Sequence, residues 1–267
     1  MSRKTSSRKT SSRKIVVLGA TSKIAQEIAR LAAADHKELL LVARHPERLA
    51  AVAGDLAARG ASRVESIAAD LAAIDSHPAL VSEILAKMPD FDTLLLAYGS
   101  LGDQARAEDS PEITLTELNT NFTSAVSLLT RLSAVMLSNA LAARGVTERP
   151  RGCIAVITSV AGDRARRSNY IYGTAKGALA LFTQGLRAKL YSAGVRVLTI
   201  KPGPVATPMT AHMPGSAKFA DPAIVARAIY LEIEHGRSDI LYVPGKWRWI
   251  MTVIRLIPES IGKQLKF

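Results

Sequence analysis

The strongest constraint on the fold of this chain is a repeated alternation of short apolar runs with longer stretches of helical periodicity. The apolar runs lack the alternation of apolar and polar residues that a sheet with one wet face requires, so they indicate parallel strands covered by helices on both faces. The predicted strands are Ile15–Leu18, Leu39–Val42, Arg63–Ser66, Thr93–Leu96, Ile154–Thr158 and Val195–Ile200, and Ile240–Val243 could add an edge strand. The predicted helices are Ile24–Ala34, Pro46–Arg59, Asp75–Lys87, Leu115–Arg144, Tyr172–Ser192 and Pro222–His235. The pattern predicts an α/β fold with a single doubly wound Rossmann domain over residues 15–244, whose ligands bind at the carboxyl ends of the strands.

The two ends of the chain depart from this pattern. Residues 1–14 repeat Ser-Arg-Lys-Thr-Ser and carry six positive charges of the formal net charge of +12. They have no apolar face to bury, so a disordered basic tail is expected, either a solvated extension or a cloning remnant. Residues 245–267 mix tryptophan and aliphatic residues with lysine and arginine, in a segment too short and too charged to span a bilayer. An amphipathic helix in a membrane interface and burial in a dimer interface both fit it.

Neither a disulfide nor a metal site is predicted. The single cysteine, Cys153, lies in an apolar strand-like run and is expected to be a packed, reduced thiol. The five histidines, at positions 36, 45, 77, 212 and 235, have no metal-ligand spacing. No apolar signal region follows the basic repeat, which favours a cytoplasmic protein or one held peripherally on the inner membrane, with the periplasmic face left open.

The turn between the first strand and the first helix is expected to bind a dinucleotide. Gly19 permits a tight turn, and free amides at the following helix N-terminus can hold a pyrophosphate. The other two glycines of the usual fingerprint are replaced by Lys23 and Ala25, so the turn alone is a weak signal. Lys23 either places a charge near the phosphates or is a solvated lysine at a helix start. The predicted cofactor contacts in this turn are Gly19, Thr21, Ser22, Lys23 and Ile24.

Residues after the later strands bear on which dinucleotide binds. Arg44 follows the second strand, where an acidic residue usually binds NADH and an arginine suits NADPH, although a surface arginine is the alternative. Asp70 follows the third strand and could either reach the adenine amino group or cap a turn. The remaining predicted cofactor contacts are Ala97, Gly99, Pro202, Gly203, Val205 and Thr207.

Four side chains carry the predicted chemistry. Tyr172 and Lys176 stand four apart at the start of a helix and share a face, so the ammonium is expected to lower the tyrosine pKa from its usual value of about 10. The phenol would exchange a proton with a carbonyl substrate, whose oxygen Ser159 would bind at the end of the fifth strand. Asn121, a poor helix former inside a long helical pattern, could bend that helix and hold a water that extends the proton path to solvent.

Two stretches are predicted to face the substrate. Arg164, Arg166 and Arg167 lie between Ser159 and Tyr172, so at least one is expected at the pocket mouth, where it would bind a phosphate, unless the loop is simply solvated. His212, with two neighbouring methionines, is predicted to lie in a lid over the substrate, with loop packing as the alternative.

From Ile15 to about Val243, the chain resembles the short-chain dehydrogenase/reductase family. The residues that carry the resemblance are Gly19, Asn121, Ser159, Tyr172, Lys176 and Pro202-Gly203, in this order. The resemblance implies that Asn121, Ser159, Tyr172 and Lys176 form the catalytic set and that Lys176 also holds the nicotinamide ribose. It further implies a homo-oligomer in which the helices Leu115–Arg144 and Tyr172–Ser192 pair.

Further stretches resemble, within this family, the mycobacterial reductases of decaprenylphosphoryl-2-keto-β-D-erythro-pentose and their relatives. They are Asp75–Pro78, Leu101–Asp103, Ser159–Gly173 and the C-terminal run W-R-W-I-M-T-V-I-R-L-I-P-E-S-I. This resemblance implies a polyprenyl-phosphate sugar substrate, a flavin-dependent oxidase at the preceding step, synthesis of decaprenylphosphoryl arabinose for the cell wall, and NADH. Arg44 instead favours NADPH. The residues also leave open a reductase of another apolar ketone and a non-catalytic nucleotide-sensing protein, whereas no nucleic-acid partner is expected.

Overall fold

Seven parallel strands form one sheet in the computed structural model, which describes residues 13–142 and 152–264. In chain order the strands are β1 Lys14–Leu18, β2 Glu38–Ala43, β3 Arg63–Ala68, β4 Thr93–Leu96, β5 Gly152–Ile157, β6 Val195–Pro202 and β7 Ile240–Val243. Their order across the sheet is β3-β2-β1-β4-β5-β6-β7, so the chain reverses direction of winding between β1 and β4. The predicted doubly wound α/β fold and its edge strand β7 are confirmed.

Helices cover both faces of the sheet. They are α1 Lys23–Ala34, α2 Pro46–Ala58, α3 His77–Lys87, α4 Gln104–Glu108, α5 Pro111–Leu118, α6 Ser124–Ala142, α7 Tyr170–Leu190, α8 Pro222–His235, α9 Lys246–Leu256 and α10 Glu259–Gly262. The long helix predicted from Leu115 begins four residues earlier, because Ser110 accepts a hydrogen bond from the Ile113 amide and Pro111 suits the first helical position. Its predicted end at Arg144 lies outside the described residues.

The core has two halves, one on each side of the sheet. Val17 of β1 packs with the helices on one face, and its neighbour Val16 packs on the other. Both faces of the central strands are therefore dry, which explains why their sequences are apolar without alternation. Burying one leucine or isoleucine side chain contributes roughly 2 kcal/mol, so these strands anchor the loops that follow their carboxyl ends.

The prediction of a disordered tail over residues 1–14 is wrong at its carboxyl end. Lys14 opens β1, and its Nζ lies 2.7 Å from Asp90 Oδ2. Arg13 donates to the Ile233 carbonyl at 3.2 Å and pairs with Glu234 at 3.5 Å. Pairing with these acceptors orders both residues, while residues 1–12 lie outside the described residues.

The C-terminal segment forms α9 and α10 and has two apolar faces. On the inner face, Met251 is buried, and the indole of Trp247 packs against Gly203, where a Cβ would overlap it. On the outer face, Trp249 and Leu256 are 73% and 78% exposed. The segment is therefore helical, as predicted, and the inner face of α9 packs against Gly203, while the membrane interface and the dimer interface both stay predictions for its outer face.

By length and composition, one helix among the described residues, Pro111–Ala142, could cross a membrane. Leu128, Leu132 and Met136 of this helix pack in the core on one face of the sheet. A core helix passes the same test of length and composition.

Candidate active site

A cavity of about 550 Å³ opens at the carboxyl ends of the strands. The loops after six strands line it, through Gly19, Arg44, Asp70, Ala97, Thr158 and Gly203. Because the winding reverses between β1 and β4, the loops after these two strands diverge and leave a crevice, as expected for an open α/β sheet.

Most of the site residues predicted from the sequence line this cavity. They are Gly19, Thr21, Ser22, Lys23, Ile24, Arg44, Asp70, Ala97, Gly99, Asn121, Ser159, Arg166, Tyr172, Lys176, Pro202, Gly203, Val205 and Thr207. Arg164, Arg167 and His212 do not line it.

The glycine turn has the geometry that the first strand-to-helix connection needs. Gly19 has a φ of +90°, and a Cβ there would lie 2.7 Å from the Tyr98 Cβ, so only glycine fits. Ser22 precedes α1 in an extended conformation without a side-chain cap, which leaves the first helical amides available to a ligand. Lys23 lines the cavity, but its ammonium pairs with Glu27 at 2.7 Å, so its charge is already partly balanced.

A second glycine brings the end of β4 against the predicted catalytic side chains. Gly99 has a φ of +152°, and a Cβ there would lie 2.5 Å from Asn121 Oδ1 and 2.9 Å from Lys176 Nζ. The Gly99 backbone, the Asn121 amide and the Lys176 ammonium therefore meet at one point of the cavity wall.

Tyr172 and Lys176 share one face of α7, as their spacing predicts. The Lys176 Nζ lies 5.8 Å from the centre of the Tyr172 ring, and Lys176 is only 4% exposed. Burial lowers the pKa of Lys176 to about 8, because the charged form loses its hydration.

The predicted lowering of the Tyr172 pKa is wrong for this structure. Burial raises the pKa of Tyr172 above its usual value, and the interaction with the Ser159 hydroxyl offsets only part of that rise. Loss of hydration disfavours the phenolate more than the Ser159 hydroxyl favours it. The phenol therefore keeps its proton at neutral pH.

Close packing of a turn against α7 places Ser159 near this phenol. Ser159 follows β5 in an extended conformation, and its Oγ accepts a hydrogen bond from the Ala161 amide at 3.1 Å. A Cβ at Gly162 would lie 2.5 Å from the Gly177 nitrogen, and one at Gly173 would lie 2.8 Å from the Ala161 oxygen. This close contact was not predicted from the sequence, although the four-residue spacing of Gly173 and Gly177 on α7 was a readable signal.

Asn121 sits in a π-helical turn, Asn119–Thr123, between α5 and α6. The widened turn matches the prediction that this asparagine disturbs its helix. The side chain is 1% exposed, and its Nδ2 donates to the Glu117 carbonyl and to Ser100 Oγ, each at 3.1 Å. Its Oδ1 accepts from the Ser100 amide at 3.1 Å. Ser100 also donates its hydroxyl proton to the Glu117 carboxylate, so two residues that the sequence analysis missed fix this amide.

Behind the serine turn lies a buried polar cluster that the sequence analysis also missed. Lys201 pairs with Asp163, and the Tyr242 hydroxyl donates to the second oxygen of the same carboxylate at 2.6 Å. Burial and this carboxylate raise the pKa of Tyr242 to about 12. The cluster ties the serine turn to β6 and β7.

The three arginines before α7 have different surroundings. Arg164 donates to the Ile257 carbonyl at 2.6 Å and pairs with Glu259 at 2.9 Å, so it holds the C-terminal segment and does not face the mouth. Arg166 lines the cavity, as predicted for at least one of them, and burial lowers its pKa. Arg167 is exposed and lines a second cavity of about 180 Å³.

The predicted lid is only partly correct. Met209 and Met213 line the main cavity, whereas His212 does not line it and is exposed. Asn169, just before α7, adds a lining residue that was not predicted, and its Oδ1 is buried without a hydrogen-bond donor among the described residues.

The described residues contain no cluster of three or more His, Cys, Asp or Glu side chains that could hold a metal ion. Cys153 is a free, buried thiol, and burial raises its pKa. The buried thiol agrees with the packed, reduced cysteine expected from the sequence.

The cavity fits a nicotinamide dinucleotide. Gly19 and Gly99 leave room that a Cβ would fill, and the uncapped start of α1 faces the same space. Lys176 supplies a buried ammonium with no hydrogen-bond or ion-pair partner among the described residues, a donor that ribose hydroxyls could use.

Comparisons with known proteins point the same way. The family model described as short chain dehydrogenase matches residues 13–216. An uncharacterized oxidoreductase of Streptomyces coelicolor is 36% identical over 255 residues, covering 95% of this chain and 96% of that protein. An uncharacterized oxidoreductase of Mycobacterium tuberculosis is 34% identical over 251 residues, covering 94% and 96%. A solved short chain dehydrogenase from Burkholderia cenocepacia, in complex with NADP, aligns with a TM-score of 0.77 at 19% identity over 96% of this chain and 98% of that chain.

Proposed function

The chain belongs to the short-chain dehydrogenase/reductase family and is an NAD(P)H-dependent oxidoreductase, and from this premise we propose a substrate for it. It reduces the 2-keto group of decaprenylphosphoryl-2-keto-β-D-erythro-pentofuranose to give decaprenylphosphoryl-β-D-arabinofuranose for cell-wall arabinan. The observation that carries the reductase chemistry is the convergence of Ser159, Tyr172 and Lys176 on one cavity. The choice of substrate is supported by the resemblance of the sequence to the mycobacterial reductases of decaprenylphosphoryl-2-keto-β-D-erythro-pentose.

In this mechanism Tyr172 donates the proton to the carbonyl oxygen. The phenol is protonated at neutral pH and can therefore supply a proton, although burial, which raises its pKa, makes it a weaker acid in the absence of a ligand. Ser159 binds the carbonyl oxygen, and the Lys176 ammonium stabilises the phenolate that proton transfer leaves behind. Asn121, fixed by Ser100 and Glu117, orders a water for the return of the proton. A bound reduced nicotinamide would supply the hydride.

The test of this chemistry is Tyr172→Phe. Turnover should fall about 10²–10⁴-fold, the usual contribution of a positioned acid, while cofactor affinity stays nearly unchanged. The matched control is Tyr191→Phe, because Tyr191 is exposed at the end of α7 and lines neither cavity. Unchanged turnover in Tyr172→Phe would refute the assignment. Wild-type protein that binds cofactor but transfers hydride to no ketone would support the nucleotide-sensing alternative.

Two groups in the cavity support a polar, phosphorylated ketone over a sterol or an acyl chain. The guanidinium of Arg166 has no hydrogen-bond or ion-pair partner among the described residues, which suits an anionic group. The buried Asn169 Oδ1 lacks a donor, which a sugar hydroxyl would supply. The experiment compares the lipid-linked keto-pentose with a sterol ketone and a β-ketoacyl thioester under identical conditions. A kcat/KM for either apolar ketone that matches the keto-pentose would overturn the proposed substrate.

The choice between NADH and NADPH rests on Arg44. This side chain is exposed at the cavity, with no hydrogen-bond or ion-pair partner among the described residues, and supports NADPH because it could bind a 2′-phosphate. The narrower resemblance supports NADH. Measuring kcat/KM with each cofactor, in wild type and Arg44→Ala, decides between them: an NADPH enzyme loses its preference in the variant, and an NADH enzyme does not change.

We further propose that the outer face of α9 rests on an anionic membrane, at the cytoplasmic face or peripherally on the inner membrane, with the periplasmic face as the alternative side. Exposed Trp249, Val253 and Leu256 supply apolar contacts, and the basic residues Arg248 and Arg255 flank them. Replacing the three apolar residues by serine should abolish sedimentation with vesicles of phosphatidylglycerol and phosphatidylcholine. The control is Ile224→Ser, which removes an exposed apolar residue of α8. Sedimentation that survives the triple change would contradict the proposal.

The remaining partners follow from the same resemblance. A flavin-dependent oxidase would act at the preceding step and supply the ketone. A homo-oligomer would form through α5, α6 and α7, whose exposed residues include Leu115 and Leu181. Light scattering of Leu181→Glu tests that interface, and an unchanged oligomeric mass would contradict it.

A further inference from the structure

We propose that the smaller cavity, between the turn that follows Ser159 and the C-terminal segment, binds the phosphate group of an organic phosphate whose other end enters the active site. This inference rests on the proposed function and adds a binding site to it. The cavity has a volume of about 180 Å³, far more than the ~10–15 Å³ that one ordered water requires.

The charge of this cavity is strongly unbalanced. Arg164, Arg166, Arg167 and Lys263 bring four positive charges to its lining, and Glu259 brings one negative charge, which leaves a net charge of three. Glu259 is already paired with Arg164, whose guanidinium also donates to the Ile257 carbonyl. The other three cations have no hydrogen-bond or ion-pair partner among the described residues.

An anion with several acceptor oxygens would balance these charges. Burial lowers the pKa of Arg166, which agrees with a guanidinium that has lost part of its hydration without gaining a carboxylate. Arginine binds phosphate oxygens in pairs through its planar fork, and lysine adds a point charge. A carboxylate has two acceptor oxygens, which is too few for the donors of the three cations that line this cavity.

The position of Arg166 connects this cavity to the active site. Arg166 lines both cavities, and α7, which carries Tyr172, begins four residues later. A phosphate bound in the smaller cavity would therefore lie beside the opening through which a ketone reaches Tyr172.

On its other side the cavity lies beside the end of α9. Arg164 reaches the carbonyl oxygens of Ile254 and Ile257, so the C-terminal end of this helix packs next to the cavity. Val253 and Leu256, which belong to the outer apolar face of α9, lie at this C-terminal end of the helix. The arrangement fits a ligand with a polar ketone on one side of its phosphate and an apolar chain on the other.

The test uses Arg167 and Lys263, which line the smaller cavity only. Calorimetric titration of the full chain with geranyl phosphate should show binding, and the double variant R167Q/K263Q should weaken it by at least ~10-fold, the loss of one charge-assisted hydrogen bond. R237Q, a change of an exposed arginine that lines neither cavity, should leave the affinity unchanged. Unfolding curves check that the variants remain folded.

Two further probes identify what is recognised. Geraniol should bind no more weakly to the double variant than to wild type, because it carries no phosphate. Inorganic phosphate that competes with geranyl phosphate, with the same loss in the double variant, shows that the phosphate alone is bound. Equal affinity of wild type and double variant for geranyl phosphate would overturn the site.

Kinetics separates this inference from the proposed function. With the lipid-linked keto-pentose, the double variant should show a KM at least ~10-fold higher with kcat nearly unchanged. Without turnover of that ketone in wild type, the proposed substrate fails, while binding of geranyl phosphate still tests the site. Turnover with the same KM in wild type and double variant supports the substrate and rejects the site.

Discussion

Two lysines are buried near the active site, and their surroundings differ. Lys176, 4% exposed, has no carboxylate beside it, and burial lowers its pKa to about 8. Lys201, 8% exposed, pairs with Asp163, which also accepts a hydrogen bond from Tyr242. A paired buried ammonium joins elements of the fold, whereas an unpaired one destabilises the fold and is free to act on a ligand. We therefore expect Lys201 to contribute to the stability of the fold and Lys176 to act on a ligand.

The largest effect is expected from Asp163→Asn. Removing one partner of a buried ion pair leaves the Lys201 charge uncompensated, so the free energy of unfolding should fall by about 3–5 kcal/mol. Urea denaturation measures it. The double variant D163N/K201M removes both charges, so its free energy of unfolding should fall by less than that of the single variant. A single variant within ~1 kcal/mol of wild type would show that the pair is not structural.

For Lys176→Met we expect the free energy of unfolding to rise instead of fall. A pKa lowered from 10.5 to about 8 means that the unfolded chain binds more protons between these values, so wild-type stability rises with pH across this window. Below pH 8 the buried ammonium destabilises wild type, and the variant should unfold with a free energy higher by roughly 3 kcal/mol. The difference should vanish near the unfolded pKa of 10.5. Denaturation curves at pH 7 and 10.5 that show no such convergence would contradict this account.

A smaller effect, on kcat/KM, is expected from a substitution at Gly99, where the backbone packs against Lys176. Gly99→Ala would place a Cβ 2.9 Å from the ammonium and 2.5 Å from Asn121 Oδ1, at a backbone φ of +152°. Displacing both groups should lower kcat/KM about 100-fold. Gly185→Ala is the control, because that helical glycine has nothing within 4 Å of an added Cβ. Equal losses in both variants would argue against a role for this contact.

The smallest effect is a change in the pH profile. If catalysis needs the Lys176 ammonium, kcat/KM for the free enzyme should fall to about half of its plateau near pH 8 and continue downward. Asp163→Asn should leave that inflection in place, because Asp163 pairs with the other lysine. Rates measured at constant ionic strength between pH 6 and 9.5 test this. A profile that stays flat through pH 9 would mean that the proton of Lys176 is not needed.

Local sequence was sufficient for features that depend on spacing. The four-residue interval between Tyr172 and Lys176 predicted their shared helical face, and the poor helix former Asn121 predicted a disturbed helix. Local sequence was not sufficient where the contacts of a side chain depend on a partner that is distant in the chain. The sequence predicted at least one of three arginines at the pocket mouth but not which one: Arg166 lines the cavity, whereas Arg164 bonds to residues more than ninety positions later.

The pKa of Tyr172 shows the same limit. The spacing of Lys176 on the helix suggested a lowered value, but burial, which depends on the whole fold, raises the pKa, and the Ser159 hydroxyl offsets only part of that rise. The Asp163–Lys201–Tyr242 cluster was also invisible, because its members come from three separate elements of the chain.

The sequence by itself determined the doubly wound sheet, the glycine turn at the first strand and the order of the side chains proposed to be catalytic. Periodicity and short-range spacing are local properties, and local sterics translate them directly into strands, turns and helix faces. Only the tertiary structure decided which lysine is paired, which arginine faces the cavity and where a second, positively charged cavity lies. Charge, burial and hydrogen-bond partners depend on residues that are distant in the chain and adjacent only after folding.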